Sequence, residues 1–113
     1  MIADRRTSVA FTGHRTYRGA AADTLRRTVG ELYARGFRNF LSGMAVGFDL
    51  AAAEAVLELR ERVPGVRLVA AVPFRGQEMR FSPADRERFR RVLAEADSVE
   101  VLAPAYHRGC YAV

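Results

Sequence analysis

The sequence predicts an α/β domain: a mainly parallel sheet of at least four strands with helices on both faces. Two observations predict it. Short apolar, β-compatible runs alternate with amphipathic stretches of ten or more residues, and the runs stop at glycine or proline. A length of 113 residues suits one hydrophobic core rather than two, so residues 1–113 are read as a single domain.

Ser8 to Thr12 is the first strand, ending at Gly13. A helix follows, with Leu25, Val29, Leu32 and Tyr33 at i, i+4, i+7 and i+8, Asp23 near its start and Gly36 as a left-handed stop. Asn39 to Ser42 is too short and apolar for an amphipathic helix and reads as the second strand. The turn Gly43 to Gly47 leads into a second helix from about Asp49 to Arg62. Its apolar face carries Leu50, Ala53, Val56, Leu57 and Leu59, and Glu54, Glu58 and Glu61 align on another face, read as solvated. Pro64 and Gly65 stop it.

Arg67 to Val72 is the third strand, closed by Pro73. After the loop Phe74 to Phe81, Ser82 reads as an N-cap, with Pro83 at the first helical position and Asp85 three residues after the cap. Phe89, Val92, Leu93 and Ala96 form the inner stripe of this third helix. Ser98 to Leu102 is the fourth strand, broken by Pro104, and the chain ends at Val113 in what reads as the start of another helix.

Composition narrows the functional classes. With 50% hydrophobic and 27% charged residues the chain is globular, not low-complexity or disordered. The longest apolar run, around Leu68 to Phe74, is too short to span a bilayer, and the start lacks a signal-peptide core, so no membrane partner is expected. The lone Cys110 has no intrachain disulfide partner, and the expected setting is cytoplasmic. The net charge of +5 comes from the first third, where eight arginines oppose Asp4, Asp23 and Glu31; ten arginines and ten acids balance thereafter. That field favours anionic ligands.

In an α/β sheet, ligands bind at the carboxyl ends of the strands. This places Gly13 to Arg15, Gly43 to Asp49, Pro73 to Gln77 and Pro104 to Arg108 on one rim. In the first segment Gly13 allows close backbone approach, Arg15 suits a phosphate or carboxylate, and His14 suits a base or sugar. The plain alternative is a turn glycine beside two solvated side chains.

In the second, Gly43 and Gly47 bracket a turn at a helix start, a place that attracts anions. It is neither a Walker loop nor a dinucleotide fingerprint. Asp49 is preferred as a helix cap over a contact to a ribose hydroxyl. In the third, Phe74 is suited either to stacking on a base or to closing the core, and Gln77 to reading a polar edge. Tyr106, His107 and Arg108 could cover a ligand. His107 and Cys110 are two potential metal ligands without a third, so no metal and no cofactor is expected.

Taken in order, Thr12 to Arg15 (TGHR), Leu41 to Asp49 (LSGMAVGFD), Ala51 to Glu54 (AAAE), Val72 to Gln77 (VPFRGQ) and Tyr106 resemble the YpsA-like branch of the SLOG superfamily. That Rossmann-like group also includes Smf/DprA and the LOG phosphoribohydrolases, and the resemblance runs from Ser8 to Tyr111. It implies a three-layer Rossmann-like sandwich. It also implies a pocket for a nucleotide or nucleotide-derived ligand built from Gly13, His14, Arg15, Ser42, Gly43, Met44, Gly47, Asp49, Pro73, Phe74 and Gln77.

The resemblance further implies that the family's domain continues past Val113 with a helix, a strand and a glycine-rich turn, so the sequence is expected to be shortened. The P-G-G-x-G-T-type turn and following Glu of LOG-like enzymes have no counterpart between Met1 and Val113. No complete catalytic constellation is therefore present in the sequence. The leading expectation is a binding domain for a nucleotide-type small molecule, with a sensor or regulatory role. The alternatives are an N-glycosidic hydrolase of nucleoside phosphates completed by another segment or chain, single-stranded nucleic-acid binding, and an interaction domain without ligand. A shortened sheet would expose an edge and apolar surface, which predicts a homo-oligomer or a completing partner.

Overall fold

The computed structural model describes residues 7–11 and 22–101 of the chain. Along it run β1 (Ser8–Phe11), α1 (Ala22–Ala34), β2 (Asn39–Ser42), α2 (Phe48–Arg60), β3 (Arg67–Val72), a short 3-10 helix (Gln77–Arg80), α3 (Pro83–Glu95) and β4 (Ser98–Val101). The four expected strands and the three helices between them are found, with ends within two residues where they are described; the helix read as starting toward Val113 lies outside the described residues. Thr12 and Leu102, read as strand ends, lie outside the described residues. The 3-10 helix was not expected.

Local chemistry accounts for the boundaries. Gly36 adopts φ 105°, a left-handed turn that stops α1. Ser82 caps α3: its Oγ accepts the Asp85 N–H at 3.2 Å, and Pro83 occupies the first turn, where no N–H is missed.

The four strands pair in parallel and in chain order, β1-β2-β3-β4. Phe40 stands beside Val9 and Leu68, and Ala70 beside Ser42 and Val99. The class is therefore α/β, a Rossmann-like parallel sheet with crossover helices. Right-handed crossovers between strands in simple order carry every helix to the same face. One core accordingly joins Phe11, Phe40, Leu68, Ala70 and Val72 of the sheet to Leu25 and Val29 of α1, Leu50 and Val56 of α2, and Phe89 and Val92 of α3.

The described residues thus supply two of the three expected layers, the sheet and one layer of helices. On the opposite face the alternating positions are Ala10, Leu41, Val69 and Ala71, outside that core. Helices on both faces would need a reversal of strand order, and the four strands contain none.

Among the described residues β4 pairs with β3 alone, leaving it at one edge of the sheet, and Val99 and Val101 are 42% and 41% exposed. No described helix is long and apolar enough to cross a membrane.

Candidate functional site

Because β2 and β3 are hydrogen-bonded neighbours running the same way, the segments that leave their carboxyl ends, Gly43 to Gly47 and Pro73 to Gly76, leave the same edge of the sheet. Two of the four expected rim segments are placed in this way. Gly13, His14 and Arg15, and likewise Tyr106, His107, Arg108 and Cys110, lie outside the described residues.

The turn after β2 is latched from within. Ser42, 1% exposed, donates its Oγ–H to the Asp49 carbonyl at 3.0 Å and accepts the Met44 N–H at 3.1 Å. One hydroxyl thus ties both sides of the turn, and its proton is committed to the protein. Met44 has φ 64°, a left-handed conformation that costs a non-glycine residue about 1 kcal/mol. It is held there by that hydrogen bond and by complete burial of its side chain in the core.

Gly47, at φ 96° and ψ −125°, has a conformation that side chains reject, and it precedes the first residue of α2. Phe48 then sets its ring edge-on to Phe11, centroids 6.2 Å apart, fixing the start of the helix over β1.

Asp49 is not the cap that the sequence suggested. Gly47 occupies the cap position and no side-chain cap hydrogen bond is made. The displacement has a local cause: the glycine turn lets α2 begin at Phe48, so Asp49 enters the first turn instead of preceding it. Its carboxyl group lies against Gly43, where a Cβ on residue 43 would meet Oδ2 at 3.0 Å. Asp49 is buried, and Oδ1 has no hydrogen-bond partner among the described residues. Burial raises its pKa to about 6, against the smaller, opposing effect of a backbone hydrogen bond from Ala45.

On the neighbouring corner Gly76 is left-handed, with φ 86°, and starts the 3-10 helix. This turn carries Gln77 inward to 3% exposure, where its Oε1 has no partner among the described residues. Phe74 is half-buried and is not among the residues packed on the core, a role taken here by Phe48 and Phe81. Pro73 is half-buried and Arg75 is exposed.

The acidic face of α2 is not simply solvated. Glu54 receives Arg88 of α3 in a two-pronged pair, Nη2 to Oε1 at 2.7 Å and Nε to Oε2 at 3.0 Å. Glu58 receives Arg26 of α1 at 3.0 Å, and Glu61 is exposed. The one-sided helical layer explains this: α2 has a helix on each flank, so successive acids reach opposite neighbours. Sequence reasoning missed the arginine partners, the latch role of Ser42 and the burial of Gln77. Only for Ser42 was there a signal, a small polar residue at the end of a buried strand before a glycine turn.

The fold and rim define the class: an α/β Rossmann-like domain with a glycine-bordered, carboxylate-bearing corner where its strands end. The chain belongs to the YspA SLOG family (YpsA), whose sequence profile matches residues 9–111. Among curated relatives it is similar to a UPF0398 protein of Bacillus pumilus, 33% identical over 76 residues, which are 67% of this chain and 41% of that protein. A UPF0398 protein of Bacillus velezensis is 39% identical over 57 residues, 50% of this chain and 31% of the relative. The UPF0398 protein YpsA of Bacillus subtilis is 36% identical over 52 residues, 46% of this chain and 29% of the relative. The matched part of the chain spans less than half the length of these relatives.

Proposed function

We propose that the chain binds a nucleotide or nucleotide-derived small molecule at the carboxyl ends of its strands, as a sensor or regulatory domain. The observation that carries this reading is the pair of adjacent corners after β2 and β3, each shaped by a glycine of positive φ and each holding a buried acceptor without a partner among the described residues. Buried polar groups are normally satisfied, so each orphan calls for a partner such as an ordered water, an ion or a ligand group. Phe74, half-buried at the corner after β3, is the proposed base contact, and Arg15 is the proposed phosphate contact.

Isothermal titration with a panel of nucleotides tests the reading. Saturable binding that weakens at least about tenfold in Arg15→Ala is expected. Absence of binding across the panel overturns it.

Nucleic-acid binding has less support. Of the arginines in the first third that are described, Arg26 pairs with Asp23 and Glu58, and Arg38 lies over the Tyr33 ring at 3.9 Å while donating to the Tyr33 and Phe37 carbonyls. Self-association belongs to the proposal on a separate observation, the exposed valines of β4.

A further inference from the structure

Two buried acceptors that follow the carboxyl ends of β2 and β3 are without a partner among the described residues. Asp49 is 8% exposed and Gln77 is 3% exposed, yet Asp49 Oδ1 and Gln77 Oε1 have no hydrogen-bond partner among the described residues. A buried acceptor without a donor costs stability, and an ionised one costs more. Among the described residues neither atom finds a donor.

Both atoms call for the same complement. A carboxylate oxygen and an amide oxygen accept hydrogen bonds, so whatever completes them must bring O–H or N–H groups. A phosphate is the wrong complement. It brings acceptors and negative charge, and Asp49 Oδ2 already lies 3.0 Å from where a Cβ of residue 43 would be. The buried carboxyl group of Asp49 stands in the first turn of α2 and, when ionised, repels a second anion there.

We propose that the ligand turns the hydroxyl groups of its sugar, and not its phosphate, toward the Gly43 to Asp49 corner, with Asp49 Oδ1 accepting one hydroxyl and Gln77 Oε1 accepting a second donor group. The phosphate then lies elsewhere on the rim, away from the Asp49 carboxylate. This orientation rests on the nucleotide reading above and reverses the usual placing of phosphate at a glycine-bordered helix start.

The test is titration of the chain at pH 7.5 with the common ribonucleosides, their 5′-monophosphates, the 2′,3′-dideoxy counterparts of both, and inorganic phosphate. The wild type is expected to bind a ribose compound at least about tenfold more tightly than its dideoxy counterpart. Asp49→Asn keeps an acceptor but loses its charge, and is expected to reduce that discrimination at least about threefold while its affinity for inorganic phosphate stays within about twofold. Should Asp49→Asn fail to fold by circular dichroism, Gln77→Met removes the second acceptor without touching Asp49. It is then expected to weaken the ribose compound at least about fivefold.

Equal affinity for ribose and dideoxy compounds overturns the orientation and leaves nucleotide binding standing. So does an Asp49→Asn variant that binds monophosphates or inorganic phosphate more tightly, because the phosphate must then lie beside the carboxylate. No binding of any nucleoside or nucleotide overturns the nucleotide reading and the orientation with it.

Discussion

Gly43 and Asp49 are fitted to one another: the space a side chain on residue 43 would take is bounded by Asp49 Oδ2, 3.0 Å from the Cβ position. Gly43 is not among the residues with positive φ, so its backbone would admit alanine and the carboxylate alone resists it. Gly43→Ala should therefore cost about 1–2 kcal/mol by forcing Asp49 aside. That is a fall of several degrees in a thermal melt for a domain of this size. Asp49→Gly,Gly43→Ala together should cost less than the sum of the single changes.

The protonation of Asp49 makes stability depend on pH. Its pKa is about 6 in the folded chain against an ordinary 3.8, because burial disfavours the charged form. A folded-state pKa raised above the unfolded one means that the native state binds the proton more tightly. The contribution to stability is fully present below about pH 4 and is lost as the pH rises through about 6. The loss is at most about 3 kcal/mol. Denaturant melts of wild type and Asp49→Asn from pH 4 to 8 should show the variant gaining on the wild type across that window, with the difference level above pH 7.

Removing the Ser42 hydroxyl should loosen the turn. Ser42→Ala leaves the Met44 N–H and the Asp49 carbonyl without their buried partner. A loss of about 1–3 kcal/mol is expected in urea unfolding. A matching loss of ligand affinity would follow from the altered turn.

Glu54 is expected to act as a tie between helices. It is about one-third exposed, as is Arg88, so breaking their pair with Glu54→Gln should cost only about 1 kcal/mol, with the cost shrinking as salt is added. The pair raises the Arg88 pKa, first through the hydrogen bond to Glu54, and keeps that side chain cationic. Ligand affinity measured by titration should be unchanged in this variant.

The edge strand predicts self-association. Val99 and Val101 are the exposed apolar residues of β4, which carries one charged residue, Glu100, and no proline. Light scattering over a concentration series should show a dimer that Val101→Lys shifts toward monomer. A monomer at all concentrations would remove self-association from the proposal.

The elements were legible in the sequence because they depend on local chemistry. Ser82, Pro83 and Asp85 specify the start of α3 whatever lies around them, and Gly36 ends α1 for the same reason. The corner after β2 was legible as a place, since glycines at its two ends mark a turn at a strand end. Its internal arrangement was not legible. That Asp49 would leave the cap position depended on how far back the Gly47 turn let α2 begin, and Gln77 reads in sequence as an ordinary polar loop residue.

The sequence by itself determined the strands and helices and the α/β class, because periodicity, caps and breakers act over a few residues, while its ordered motifs carried the family resemblance. The tertiary structure decided that α1, α2 and α3 share one face, that Glu54 and Glu58 serve different neighbours, and that Asp49 and Gln77 are buried with an acceptor unpartnered among the described residues. Strand order sets the first two, and the Gly47 and Gly76 turns, packed against the neighbouring segments, set the third. Burial and partnership are relations between segments distant along the chain, and no local pattern of residues encodes which segments meet.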